Sequence, residues 1–276
     1  MSSIKDRQRA AARARLEKEM AARAEAARKR RQRQAIIGST IAVVLIAAGT
    51  IWLVTDLTKG SGTKKSAASS TPAGTVTCTW TPQDPSAGGK IVDVGTPPAT
   101  APNIGTDTLT IDTNLGPITA TVDKSKAPCT AAAFTYLSSK KFWDGTKCHR
   151  LTTQGIKVLQ CGDPSAKGKG WRKTDGTGGP SFQYAEENLP AGKTPPYPTG
   201  TIAMARTQQP GTTGSQFFIV YGDTQLDPTY TVLGTVTKGM DIVDKVAKAG
   251  TDNANSKGDG HPKTEVDIKT LTMSAG

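Results

Sequence analysis

"GSQFFIVYG", residues 214–222, packs Phe217, Phe218, Ile219, Val220 and Tyr221 between two glycines. β-Branched and aromatic residues in a short run bounded by glycine mark a strand. Successive side chains on a strand point to opposite faces, so Gln216 and Phe218 share one face while Phe217 and Ile219 share the other. A polar Gln216 immediately before Phe217 and Phe218 stands out in a strand that otherwise looks buried.

Similar short strands surround this one: "KVLQCG" at 157–162, "GTIAMAR" at 200–206, "YTVLGTV" at 230–236 and "EVDIKTLTM" at 265–273. "TLTIDTNLGPITATV" at 108–122 alternates twice around a turn at Gly116 and Pro117, which predicts a hairpin. Two segments break the period. "KAPCTAAAFTYLSS" at 126–139 opens with Pro128, suited to a first helical turn, and places Ala133, Phe134 and Leu137 on one side. "GMDIVDKVAKAG" at 239–250 spaces Met240, Val243 and Val246 as a helix does and stops at Gly250. Many short strands with two helices and no internal repeat predict a mainly β domain over 107–276. The expected form is a closed antiparallel β-barrel or a sandwich.

The net charge of +12 invites a nucleic-acid reading, yet most of it sits at one end. Residues 1–34 hold twelve Lys or Arg against four Asp or Glu and so supply +8 of the total. This basic arm abuts "AIIGSTIAVVLIAAGTIWLVT", residues 35–55, which carries no charge. At ~1.5 Å per residue the run reaches about 31 Å, enough to cross a hydrocarbon core of roughly 30 Å. A transmembrane helix is the expectation; a buried core helix is seldom so long and so uniformly apolar. Basic residues before the span put the amino terminus in the cytoplasm and everything from Asp56 onward outside, in a single-pass protein of the cell membrane. A cleaved signal peptide is the weaker alternative, because the small-residue stretch "SAAS" at 66–69 lies well past the apolar end. Arm and anchor then have membrane lipid as their partner, and nucleic acid is not expected.

Residues 56–106 are rich in Gly, Ser, Thr, Pro and Ala, a composition too poor in large apolar groups to offset ordering entropy, and read as an extracytoplasmic flexible linker. "TVTCTWTP" within it is an exception whose alternating Val76, Cys78 and Trp80 could dock on the domain, with a disulfide as one means. Cys78, Cys129, Cys148 and Cys161 all fall on the outer side, where disulfides persist; four cysteines allow three connectivities. No C-x-x-C pair supports zinc, and no metal or cofactor is expected.

The sequence carries no acid-base or nucleophile motif: His149 and His261 are the two histidines, and no G-x-S-x-G, H-E-x-x-H or Walker sequence occurs. "GTGG" at 176–179 lacks the strand and helix that a phosphate cradle needs. What remains is an ordered set of blocks: "CHRL" (148–151), "LQCGD" (159–163), "IAMAR" (202–206), "GSQFFI" (214–219) and "QLDPTYTVLGTV" (225–236). In this order and spacing the chain resembles the cyclophilins, peptidyl-prolyl cis-trans isomerases, over roughly residues 107–275. With its apolar span it is similar to the membrane-anchored bacterial members.

The resemblance implies a catalytic Arg150 that donates to the prolyl nitrogen, with Gln160 beside it. It also implies a closed antiparallel β-barrel of about eight strands capped by two helices, and a proline pocket floored by Phe218, walled by Val158, Ile156 and Leu226, with Tyr230 at its lip. Gln216, Met204, Ala205 and Arg206 would bind the substrate, Arg206 mainly through its backbone. Cys148 replaces the family's usual aromatic residue before His-Arg, and the segment from Arg150 to Gln160 is two residues longer than usual. Ile156, Lys157 and Val158 are therefore all candidates for the pocket wall, with Ile156 and Val158 sharing strand parity with Gln160. Gln225 stands where many relatives have an aromatic residue, so weak cyclosporin binding is expected. The implied activity is cis-trans isomerisation of X-Pro bonds in exported, proline-containing polypeptides. A non-catalytic module that holds proline segments at the cell envelope, as chaperone or scaffold, is the alternative.

Overall fold

A computed structural model describes residues 72–83 and 90–276. The basic arm, the expected transmembrane span and the start of the linker lie outside these residues. Among the described residues no helix is long and apolar enough to cross a membrane.

Ten strands form one antiparallel sheet: β1 Thr106–Thr113, β2 Gly116–Asp123, β3 Thr146–Lys147, β4 Arg150–Thr152, β5 Val158–Cys161, β6 Thr201–Met204, β7 Phe217–Val220, β8 Val232–Lys238, β9 Asp259–Gly260 and β10 Asp267–Ala275. Their order is β9-β4-β5-β7-β6-β8-β2-β1-β10-β3. The closed barrel expected from the sequence is thus a strongly wrapped open sheet, since no ladder among the described residues joins β9 to β3. The reason lies in one short segment. Residues 146–152 carry both β3, which pairs with β10, and β4, which pairs with β5. The chain changes partner at Cys148 and His149, whose backbone N–H groups donate to Val266 O and to Gln160 O, so one continuous segment supplies an edge strand and a strand next to the opposite edge.

The hairpin of β1 and β2 pairs Thr113 with Gly116 at its turn, and the φ of 121° at Gly116 is one that side chains rarely adopt. Leu109, Ile111, Ile118, Ala120 and Val122 face inward from it. Helix α1, Pro128–Ser139, lays Ala131, Phe134 and Leu137 on this core. Ala127 offers the helix no side-chain cap. Glu187 supplies one from a distant loop, accepting from the backbone N–H and the hydroxyl of Thr130 at 2.6 and 2.7 Å. Helix α2, Met240–Ala249, buries Ile242, Val243 and Val246, with Gly239 and Gly250 at its two ends.

The expectation of a flexible linker up to residue 106 is corrected for 72–83 and 90–105. Thr75–Thr77 pairs with Thr100–Pro102, Thr81–Pro82 with Phe182–Gln183, and Ile91–Val92 with Gly179–Pro180. Trp80 meets Phe182 and Tyr184 edge-on, each at 5.4 Å between ring centroids. A disulfide joins Cys78 to Cys129 at the start of α1. Low apolar content is offset here by a covalent bond, one aromatic anchor and backbone pairing, both within the segment and to Gly179–Pro180 and Phe182–Gln183.

Candidate active site

Strand register assembles the site. Arg150 on β4 lies opposite Gln160 on β5, Gln160 opposite Phe218 on β7, and Phe218 opposite Ala203 on β6. Four side chains from four strands therefore form a row across one face of the sheet. On that face Val158, Ala203, Phe218, Val220 and Tyr197 make a small apolar cluster, with Ile156, Ala205, Leu226, Tyr230 and Val232 packed around it. The opposite face sends Leu159, Cys161, Ile202, Phe217 and Ile219 into the main core.

Of the three candidates for the pocket wall, Ile156 and Val158 join the apolar cluster. Lys157 does not, because its side chain lies against Gly222. Met204, expected at the substrate surface, is corrected: it pairs with Phe217 and belongs to the main core. Parity is the cause, since Ala203 and Met204 point to opposite faces of β6 and Ala203 takes the site side.

Beside the apolar cluster runs a chain of polar groups. Gln160 Oε1 accepts from Arg150 Nη1 at 3.4 Å, and Gln160 Nε2 donates to Gln216 Oε1 at 3.0 Å. Gln216 Nε2 donates to the carbonyls of Gly176 and Gly178, both at 2.9 Å. "GTGG", unreadable as a phosphate cradle, is thus the carbonyl shelf that orients Gln216. The shelf hangs on buried Asp163, whose carboxylate accepts from the N–H groups of Ser165, Gly176 and Gly178. A cavity of about 720 Å³ opens next to this chain, lined by Gln83, Gln160, Gly178, Arg206, Thr212 and Gln216. Gln83 brings the N-terminal segment into the wall of the site.

Arg206 is tethered at the rim. Its Nε donates to Thr229 O at 2.8 Å and its Nη1 to Thr207 O at 2.9 Å, and Glu186 lies 3.6 Å away. Its guanidinium sits over the Tyr230 ring, 5.5 Å from the centroid. Gln225 is exposed.

Arg150 has a second partner that the sequence did not announce. Its Nε and Nη2 donate to the two carboxylate oxygens of Asp259 at 2.9 and 2.7 Å. The pairing raises the guanidinium's affinity for its proton, and the same hydrogen bonds hold the Asp259 carboxyl below its usual range. Asp259 follows Arg150 by 109 residues. Its one local signal was an Asp-Gly pair in a turn-rich stretch, which reads as a turn.

His149 points the other way from Arg150. It is 3% exposed and neither ring nitrogen has a hydrogen-bond partner among the described residues. Burial pushes its pKa down to about 4, against the pull of Asp163 and Asp175. A second disulfide, Cys148–Cys161, ties the residue before His149 to the residue after Gln160. Among the described residues no group of three or more His, Cys, Asp or Glu could hold a metal ion.

The family described as "Cyclophilin type peptidyl-prolyl cis-trans isomerase/CLD" matches residues 108–273. The probable peptidyl-prolyl cis-trans isomerase B of Mycobacterium leprae (strain TN) is 46% identical over 153 residues, 51% of this chain and 48% of that protein. The protein of that name from Mycobacterium tuberculosis (strain CDC 1551 / Oshkosh) is 45% identical over 152 residues, 51% of this chain and 46% of its own length. The chain thus spans about half the length of these relatives. A crystal structure of a cyclophilin type peptidyl-prolyl cis-trans isomerase from Cryptosporidium parvum is similar at a TM-score of 0.51 and 25% identity, covering 62% of this chain and 99% of that one. A crystal structure of the same protein in the presence of the dipeptide Ala-Pro gives 0.50 and 26%, covering 61% and 99%.

Proposed function

The chain belongs to the cyclophilin-type peptidyl-prolyl cis-trans isomerase family, and on that premise we propose that it accelerates rotation about X-Pro bonds in exported polypeptides. The observation that carries this reading is the row in which Arg150, Gln160 and Phe218 face one another across three strands.

Rotation about an X-Pro bond breaks no covalent bond; amide resonance sets the barrier at about 18 to 20 kcal/mol. A catalyst need only favour the twisted amide over the planar one. Phe218, with Val158, Ile156, Leu226 and Tyr230, receives the pyrrolidine ring and fixes it while the rest of the peptide turns. Gln160, Gln216, Ala205 and Arg206 hold the flanking backbone. As the amide twists, the prolyl nitrogen regains its lone pair and Arg150 donates to it. A guanidinium suits this task because it is always charged and only donates. One charge-assisted hydrogen bond formed only in the twisted state is worth roughly 1.5 to 3 kcal/mol, a factor of about ten to a hundred in rate. No proton is transferred, so His149 needs no part in the chemistry, and the scheme requires no cofactor.

The apolar run at 35–55 supports a location at the cell membrane, with the basic arm in the cytoplasm against anionic lipid and the isomerase domain outside. The pairing of all four cysteines supports an oxidising compartment for that domain. Uncatalysed prolyl isomerisation takes tens to hundreds of seconds, slow enough to limit folding of newly exported chains. An exposed Gln225 supports weak cyclosporin binding; inhibition as tight as in strongly sensitive cyclophilins would refute that. The alternative, a module that binds proline segments without catalysis, draws support from Lys157, which turns from the pocket toward Gly222 within the lengthened segment.

Exchange NMR on a short X-Pro peptide, with the full-length chain in detergent micelles, tests the proposal. Accelerated exchange that falls about a hundredfold in Arg150→Ala is expected. Peptide shifts without acceleration would select the binding module.

A further inference from the structure

We propose that Asp259 is a positioning residue for the isomerase reaction, holding Arg150 in the orientation from which it can donate to the prolyl nitrogen. The inference rests on the isomerase reading above.

A guanidinium has five N–H donors in a rigid plane. Asp259 takes the edge made by Nε and Nη2, and Gln160 takes one donor of Nη1. The remaining two donors, one on Nη1 and one on Nη2, are left for a substrate at the partly exposed end of the side chain. Without Asp259, Arg150 would keep a single 3.4 Å bond to Gln160 and most of the rotamer freedom of a long side chain.

Asp259 is itself held before Arg150 meets it. Asn255 Nδ2 donates to Asp259 Oδ1 at 3.0 Å, and the backbone N–H groups of Asn255 and Ser256 donate to Asp259 O. Asn253 Oδ1 accepts from Gly258 N at 2.7 Å. Asp252 accepts from the N–H groups of Ala254 and His261 and pairs with the His261 ring at 2.8 Å. At Gly258, φ is 78° and a Cβ would lie 2.7 Å from Gln154 Cγ, so the turn admits glycine. His261 in turn stacks on Trp171 at 4.6 Å with 6° between planes. The carboxylate is thus presented by a braced turn, and the flexible partner is the arginine. Planar, bidentate pairing transmits that bracing to the guanidinium.

Because Arg150 acts on the twisted amide, loosening it should lower kcat and leave KM nearly unchanged. A purely structural role for Asp259, as part of edge strand β9, would instead disturb the cleft and raise KM. The test measures kcat and KM by exchange NMR on an alanyl-prolyl tetrapeptide, using the full-length chain in micelles. Asp259→Asn, Asp259→Ala and Arg150→Ala are compared, with hydrogen exchange at Arg150 Nε–H followed in parallel. We expect kcat to fall about tenfold in Asp259→Asn and further in Asp259→Ala, with KM within about twofold. The Arg150 Nε–H should exchange slowly in the unaltered chain and fast in both Asp259 variants. Unchanged kcat in a folded Asp259→Asn, or a raised KM at constant kcat, overturns the inference. Fast Nε–H exchange in the unaltered chain overturns it too, whether or not the variants fold. Full acceleration by Arg150→Ala would remove Arg150, and with it Asp259, from the mechanism; absence of acceleration by the unaltered chain would sink the isomerase reading itself; an inactive Arg150→Ala beside a fully active Asp259→Asn removes only the role of Asp259.

Discussion

Phe217 and Phe218 are the same residue at consecutive positions, yet they serve opposite sides of one sheet. Phe217 is 0% exposed and packs on Phe134 with ring centroids 5.8 Å apart, deep in the main core. Phe218 is 4% exposed and meets Tyr197 and Tyr230 at 6.2 and 5.8 Å beneath the cleft. Two strands away, His149 is buried beside Gly176 while the Arg150 side chain stays partly exposed. Burial alone would not separate the two phenylalanines. What separates them is the company kept: Phe217 joins the main core, and Phe218 joins the small apolar cluster of Val158, Tyr197, Ala203 and Val220 on the face that carries Gln160.

That difference can be broken by substitution, and the largest effect should come from the closed side. Phe217→Ala should cost about 3 to 5 kcal/mol of stability in urea denaturation, because the helix and sheet around it cannot collapse into the gap. A loss of activity at unchanged stability would mean that the two faces have been exchanged.

Acid probes the inward side next. His149 takes up a proton at its ordinary value of 6.5 when unfolded but only at about 4 in the native core. Between those pH values the unfolded chain binds more protons, so stability falls as pH drops from 6.5 to 4, by roughly 3 kcal/mol, and this loss is complete below 4. Asp259, with its lowered pKa, adds a further loss only below the ordinary carboxylate range. His149→Asn should flatten the upper window while leaving the lower one. An unchanged slope in that variant would assign the window to other groups.

On the open side, Phe218→Ala should raise the KM for an X-Pro peptide about tenfold, near 1.4 kcal/mol, with a smaller stability loss than its neighbour. Equal stability losses for the two variants would erase the distinction. The smallest effect is expected from Gln216→Ala. It frees the carbonyls of Gly176 and Gly178 at a partly exposed surface, for about 1 kcal/mol, seen as a severalfold change in KM.

How far this could be read from the sequence follows from the physics of each element. The alternation of β7 is local, so the shared side of Gln216 and Phe218 was legible, as was the parity that groups Ile156 and Val158 with Gln160. The helices were legible from Pro128 and from the spacing of Met240, Val243 and Val246. Met204 was misread because all four residues of β6 are buried, so its alternation leaves no trace in composition. Asp259 was invisible because its partner is remote in sequence and a charged residue in a turn looks like solvent-exposed surface. The open sheet was missed because strand count does not reveal where one segment changes partners. In residues 72–83 and 90–105, composition points to a linker while Cys78 and Trp80 point to docking, and the anchoring of those two residues decides the outcome.

The disulfide between Cys78 and Cys129 also makes the domain a mechanical object. A pull applied at the N-terminal end of the described chain reaches Cys78 before any strand of the main sheet, and the covalent bond passes it directly into α1. The 50 residues between the two cysteines, 79–128, are withheld from stretching. At ~3.3 to 3.6 Å per residue this shortens the available reach by about 170 Å, which reduction of a single bond would release.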